Sequence, residues 1–372
     1  MKSLQLTADT VGTVARGHPW VYRNGVVGSA KVGEVVKLVD NRGKSVAFGL
    51  FDEGIIAVRV LGREPVDIPA LIRVRIADAI SKRAMIGGET DTYRLCNGEG
   101  DGLPGLILDR YGDVVVVRFY AKAWESWIGA IVEAIPSEFT TVYRRFGVGR
   151  VDDREGGESL RGSDPPDVVI VREHGMRLLA RVKVGQKTGL FLDQREHRRL
   201  VRAWAAGRSV ANLFSYNGGF SVAAALGGAT RVVSVDQSAG AIEDAKENFR
   251  LNDLDPDAHG FEVGDVFAWK GKPVDFVICD PPSLTRDKSS DDPARGAYRS
   301  LHRHIAPMVG SLLATSSCTA RLGADRWEEC VRDGIGGGWS FLHRSGESLD
   351  HPVAIGHPEG RYLKFALLGR RA

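Results

Sequence analysis

Several reactive or polar positions of this sequence stand just beyond apolar runs. They are Asn217-Gly218-Gly219 after SVANLF, Asp236 closing RVVSVD, Asp265 after GFEV, Asp280 after VDFVIC and Cys318 closing SLLATSSC. In parallel α/β sheets, ligands bind beyond the carboxyl ends of the strands, so these positions are expected to share one crevice. The turn NLFSYNGGFS, from Ser215 to Gly219, brings backbone close to a bound molecule. Asp236 lies 17 residues after Gly219, close to the roughly 20 residues typical of a carboxylate that grips a ribose. The G-x-G-x-x-G fingerprint and the P-loop lysine are both missing, so a ligand anchored by its phosphates is disfavoured. S-adenosylmethionine (SAM) carries ribose and adenine without phosphate. It is the expected cofactor, with Asp236 on the ribose and Asp265 on the adenine amino group.

The methyl acceptor is addressed by CDPPS and TSSCTA. Asp280 stands at the tip of a strand expected to be central and buried. Enzymes that methylate exocyclic amines follow such an acid and two prolines with an aromatic residue, and here Ser283 occupies that place. Carbon methylation calls for a thiol, because C5 of a pyrimidine is a poor nucleophile until a thiolate adds to C6. A base must then remove the C5 proton. Cys318 is the candidate nucleophile. Cys279 falls inside its strand, Cys330 on the inner face of a helix, and Cys96 in another domain. The four cysteines show no CxxC or Cys/His spacing, so neither a disulfide framework nor a metal site is expected, and a reducing cytoplasm is.

Three domains must carry these residues. Residues 1–70 read as short strands around turns and predict a small β-barrel. Residues 71–185 read as a central α+β domain. It opens on a helix with Leu71, Val74, Ala77 and Ile80 as its apolar row. LILDRYGDVVVVRFYAKAW follows as a hairpin, WIGAIVEAI as a helix, and TTVYRRF and DVVIVREHGMRLLARV as further strands. The charged, Gly/Pro-rich stretch 150–167 reads as an exposed loop. Residues 186–372 alternate strand and helix with nearly continuous apolar strands, which predicts a Rossmann-like parallel sheet covered on both faces. GWSFLHRSG and RYLKFALLG, with no crossover helix between them, predict an antiparallel edge. The fold class is therefore multidomain α/β.

The chain has 372 residues, 43% of them apolar and 26% charged, which suits a globular protein of several domains. No apolar run approaches the length of a membrane span, and the start lacks the pattern of a signal peptide. The net charge of +3 is uneven: residues 1–75 carry +4, so the front domain could meet phosphates.

The whole chain resembles the PUA-containing class I SAM-dependent methyltransferases that make 5-methylcytosine in large-subunit ribosomal RNA. GHPWVYRNGV and GLFDEGIIAVRVL are similar to that family's N-terminal PUA barrel, and YRLCNGEGDGLPGLILDRYGD to its middle domain. GQKTGLFLDQREHR, FSYNGGFSVAAALGGATRVVSVDQS, DPPS, SSC and DHPVAIGHPEGRYLK follow in the family's order. The resemblance implies Gln194 and Arg195 near the methionine end of SAM. Ser215, Asn217, Gly218 and Gly219 would form its loop, with Asp236, Asp265 and Asp280 as further contacts. Cys318 would be the nucleophile, Asp280 would meet the target base, and Glu359, with His351 as rival, would take the proton. Large-subunit ribosomal RNA is the implied partner, and a homodimer is an expectation from the resemblance alone. Asn217 stands where threonine is common, Leu284 follows DPPS in place of an aromatic, and the loop 285–297 is peculiar to this chain. A non-catalytic ribosome-assembly factor and a methyltransferase acting on another RNA or a small molecule are the alternative readings.

Overall fold

The computed structural model describes residues 1–147, 154–284, 292–320 and 322–371. It divides into two units. The first comprises Met1–Val171, Ala180–Leu192 and Leu349–Gly360, and the second comprises Arg172–Leu179, Asp193–Ser348 and Arg361–Ala372.

The first unit opens with β1 (Lys2–Leu6), α1 (Ala8–Ala15), β2 (Trp20–Tyr22), β3 (Val26–Val27), β4 (Val35–Val39), β5 (Ser45–Phe51) and β6 (Ile56–Gly62). The strands form one nearly closed sheet in the order β2-β6-β5-β4-β1-β3. Alternation along these strands sends Leu4, Leu6, Val36, Leu38 and Val58 inward. Helix α1 was not foreseen; only Val14 of its eight residues is buried, so it shows little apolar periodicity.

A second sheet follows, with α2 (Ile68–Lys82), β7 (Thr92–Asn97), β8 (Leu106–Tyr111), β9 (Val114–Phe119), α3 (Ile128–Ala134), β10 (Thr141–Arg145) and β11 (Gly157–Arg161). Its order is β11-β10-β9-β8-β7. Asp67 caps α2 by accepting from the Ala70 amide. The buried stripe of α2 is Ile68, Ile72, Ile76 and Ala79, whereas Val74 of the expected row is 66% exposed. Steps of three alone drift around a helix, and only a mixture of three and four stays on one face. Strand β11 corrects the expected loop at 150–167, of which residues 150–153 lie outside the described residues. The charge there is used: Arg161 donates to the carbonyls of Ile135, Pro136 and Phe139 beyond the end of α3. The middle signature is also scaffolding. Arg83 and Asp101 form a buried two-point ion pair at 2.8 and 2.6 Å, and Asp109 accepts from Arg94 and Thr188.

A hairpin, β12 (Val169–Glu173) and β13 (Met176–Ala180), carries the chain between the units. The second unit then runs through α4 (Arg195–Trp204), β14 (Ser209–Leu213), α5 (Gly219–Leu226), β15 (Arg231–Asp236), α6 (Ala239–Leu251), β16 (Gly260–Val263), β17 (Val274–Cys279), α7 (Asp292–Ile305), β18 (Val309–Ser317), α8 (Ala324–Ile335), β19 (Trp339–Ser345) and β20 (Lys364–Arg370). Its seven-stranded sheet has the order β16-β15-β14-β17-β18-β20-β19. The first five strands are parallel, and β20 and β19 add antiparallel, as the missing crossover helix predicts. Of the loop 285–297, residues 285–291 lie outside the described residues, and α7 begins at Asp292. No described helix is long and apolar enough to cross a membrane.

Candidate active site

The site is built at the carboxyl ends of β14, β15, β17 and β18. Strand β14 ends at Leu213, and the chain turns sharply through three left-handed residues, Phe214 (φ 60°), Tyr216 (φ 48°) and Gly218 (φ 77°). Such positions are strained for side-chain-bearing residues and persist where the surroundings enforce them. A Cβ on Gly218 would stand 2.7 Å from the Cβ of Ala245, so this glycine also lets α6 approach. Ser215 is held by its amide on Val235 O, yet its buried hydroxyl has no hydrogen-bond partner among the described residues. A buried hydroxyl without a partner is costly unless a ligand completes it. Asn217 faces inward and donates to Leu179 O, while Asn248 donates to the Asn217 carbonyl.

Asp236 locks this turn. One of its carboxylate oxygens accepts from the Tyr216 amide and the other from the Ser238 amide, each at 2.9 Å. A carboxylate has about four acceptor positions, so capacity for two ribose hydroxyls remains. Asp265 is exposed and accepts from the Phe267 amide at 3.0 Å. Phe267 meets Phe214 edge to face at 6.0 Å between centroids. This pair was missed in the sequence because one member lies in the glycine turn and the other follows a different strand. The orphan hydroxyl, the tight turn and the spare acceptors fit SAM. Replacing Asp236 with alanine is expected to weaken SAM binding at least tenfold by calorimetry, since bonds to a charged acceptor are worth about 1.5–3 kcal/mol each. Unchanged affinity would remove Asp236 from the cofactor site.

Gln194 and Arg195 start α4 in a strongly polar stretch, yet Asp193, Gln194, Arg195, His197 and Arg198 are all buried. Gln194 Nε2 donates to Asp280 Oδ1 at 3.0 Å and lies 3.4 Å from Ser316 Oγ, which also donates to Asp280. Gln194 Oε1 must then accept from His197 Nδ1, at 2.5 Å. That leaves His197 Nε2 to accept from Ser345 Oγ at 3.0 Å. Burial pushes the His197 pKa down to about 3, so the ring is neutral and its tautomer is set. It stacks on Phe365 at 4.0 Å. Arg195 Nε donates to Glu196, whose carboxyl is lowered to about 2, first by its bond to His174 and then by Arg195.

Cys318 follows β18 and is partly accessible, whereas Cys96, Cys279 and Cys330 are buried. Its neighbours fasten the strand end. Ser317 donates to the Tyr298 hydroxyl at 2.8 Å, which lies 3.0 Å from Thr319 Oγ1. Ser283 of DPPS reaches that same Thr319 oxygen at 3.2 Å. Both Cys318 and Asp280 act electrostatically on Tyr298, whose pKa rises to about 12 chiefly through burial. Lys364 on β20 closes the group by donating to Thr319 O and Leu322 O. Tyr298, Ser316 and Lys364 were not singled out in the sequence; nothing in their spacing marks them.

The two proposed proton acceptors lie in the first unit. Glu359 sits 3.3 Å from His18 Nε2 and 3.8 Å from His357 Nε2. Burial would raise its carboxyl pKa, but the backbone bond and His18 outweigh this and hold it below the usual range. His351 is buried against Asp350 at 3.3 Å.

Residues 4–63 match the PUA-like domain family, and residues 150–345 match the S-adenosylmethionine-dependent methyltransferase family. A ribosomal RNA large subunit methyltransferase of Deinococcus radiodurans is 38% identical over 95% of this chain and 93% of its own. Ribosomal RNA large subunit methyltransferase I of Cronobacter sakazakii is 35% identical over 95% of each. The solved structure of SMU.776, a methyltransferase complexed with SAH, superimposes with a TM-score of 0.89 at 25% identity, covering 99% of this chain and all of that one. The chain therefore belongs to the S-adenosylmethionine-dependent methyltransferases, in the PUA-containing group that includes the ribosomal RNA large subunit methyltransferases.

Proposed function

We propose that the protein methylates C5 of a cytosine in large-subunit ribosomal RNA by thiol addition. The observation that carries this reading is the partly accessible Cys318 at the end of β18, next to the Gln194–Asp280–Ser316 array. The names of relatives 34–38% identical support the RNA class. A fully buried Cys318 would have favoured a binding role without catalysis.

Ser215, the backbone to Gly219, Asp236 and Asp265 would hold SAM, with Gln194 and Arg195 at its methionine end. The cofactor supplies an electrophilic methyl group. The Cys318 sulfur pair would bond to C6 as the C5–C6 π pair moves onto C5, and C5 would take the methyl group as the sulfonium S–CH3 bond breaks and SAH leaves. A general base then takes the C5 proton, the C–H pair re-forms the C5–C6 double bond and the thiolate leaves with its sulfur pair. Asp280, a hydrogen-bond acceptor, suits the cytosine N4 amino group and disfavours the uracil O4. Extrusion of the base from its stack would bring it to these groups.

Glu359 is the proton acceptor that the resemblance assigns. Its bond to His18 and lowered pKa support a different role, fastening the 349–360 segment within the first unit. E359Q is expected to lower the melting temperature while turnover persists. Accumulation of a covalent RNA–protein adduct in E359Q would instead assign it the base role.

The deciding experiment is methyl transfer from radiolabelled SAM to unmodified large-subunit ribosomal RNA, with nucleoside analysis of the product. Label in 5-methylcytidine is expected. Label in another nucleoside would discard the thiol route, and SAM binding without transfer to naked RNA or immature subunits would favour a ribosome-assembly factor.

A further inference from the structure

We propose that Lys364 is the positioning cation that holds the Cys318 sulfur as a thiolate; this rests on Cys318 being the nucleophile. Strands β18 and β20 pair antiparallel with Ser317 directly opposite Lys364, which sets the lysine one residue from Cys318 in the ladder. The Lys364 side chain is buried, and its Nζ donates to Thr319 O at 2.5 Å and Leu322 O at 2.9 Å. Both acceptors lie within four residues after Cys318 in sequence. Two carbonyls satisfy hydrogen bonds without neutralising the charge, and among the described residues the ammonium forms no ion pair.

The ionisable groups around this cation are few. Burial lowers Lys364 to about 8, opposed by Cys318 and then by Glu347, so it is mostly protonated at neutral pH. Glu347 is engaged by the Leu363 amide at 2.8 Å. Tyr298, from α7, is pushed up to about 12 and stays neutral. Asp280, beyond β17, shares the field of Tyr298 with Cys318. A thiolate in the same field as that carboxylate is disfavoured unless a cation offsets the repulsion. Lys364 is the cation in place. A neighbouring lysine typically draws a thiol from about 8.5 to between about 3.5 and 7.5.

A purely structural lysine would only clasp the carbonyls of Thr319 and Leu322. K364Q separates the roles, because the amide keeps N–H donors for the two carbonyls and removes the charge. The test follows iodoacetamide alkylation of Cys318 in the full chain against pH, without RNA or SAM, by mass spectrometry of the Cys318 peptide. Wild type is expected to show a midpoint at least about one unit below 8.5. K364Q is expected to raise the midpoint by about one unit and slow alkylation at pH 7 about tenfold, with the melting temperature and SAH affinity kept. An unshifted midpoint in K364Q, or a wild-type midpoint at or above 8.5, overturns the proposal. Should K364Q melt early, the wild-type midpoint alone decides. Methyl transfer by C318A would refute thiol catalysis itself, and that outcome is independent of the alkylation profile.

Discussion

C318A is expected to abolish methyl transfer, by roughly four orders of magnitude or more in kcat, while SAM affinity stays within about twofold. The sulfur is the only group proposed to bond to the base, and without it C5 lacks the electron density to take a methyl group. SAM affinity should hold because the residues proposed to bind it stand at the start of α4 and beyond β14, β15 and β16, whereas Cys318 follows β18. The alanine leaves the clasp from Lys364 to Thr319 and Leu322 in place, since both bonds end on backbone carbonyls. Single-turnover transfer from radiolabelled SAM, paired with calorimetry, gives both quantities. Undiminished transfer by C318A would rule out the thiol route.

E173A is expected to cost about 3–5 kcal/mol of stability, because it removes the carboxylate that takes two bonds from the buried Arg198 guanidinium. Glu173 on β12 meets Arg198 on α4 with two bonds of 2.6 and 2.5 Å, and both side chains are nearly inaccessible. The arginine stem also supports the glycine turn: a Cβ on Gly219 would lie 3.1 Å from Arg198 Cδ. Loss of the pair should therefore loosen α4, which begins beside Gln194, together with the start of α5. The measurement is a thermal scan of the full chain following the transition that SAH shifts. A drop of roughly 10 °C or more is expected. The double variant E173A/R198M should recover part of it, because an apolar pair is cheaper to bury than a guanidinium deprived of its two-point carboxylate. Equal melting of E173A and wild type would show that water reaches Arg198.

The alternating strands and helices of the second unit were legible in the sequence because parallel strands buried on both faces leave continuous apolar runs. The tips of those strands, and so Asp236, Asp280 and Cys318, came with them. What escaped was the polar interior. DQREHRR has the composition of a surface, and its burial depends on partners distant in sequence: Glu173 for Arg198, Asp280 and Ser316 for Gln194, Ser345 for His197. Lys364 is of the same kind, placed by a ladder register that no local pattern encodes. The outer face of α2 failed for another reason. Nearly every turn of that helix offers an apolar residue on both sides, so composition alone could not choose between Ile72 and Val74.

The strand order β18-β20-β19 also has a consequence for biosynthesis. A ribosome makes β18 first, then β19, and only afterwards the strand that fits between them. Until β20 emerges, β18 has an unpaired edge, a template for wrong pairing that a finished sheet does not offer. The same late strand carries Lys364. A nascent or prematurely terminated chain can thus hold its cysteine while lacking the neighbour that readies it. On the proposed role of Lys364, only a chain that has already made β20 carries the cation beside its cysteine.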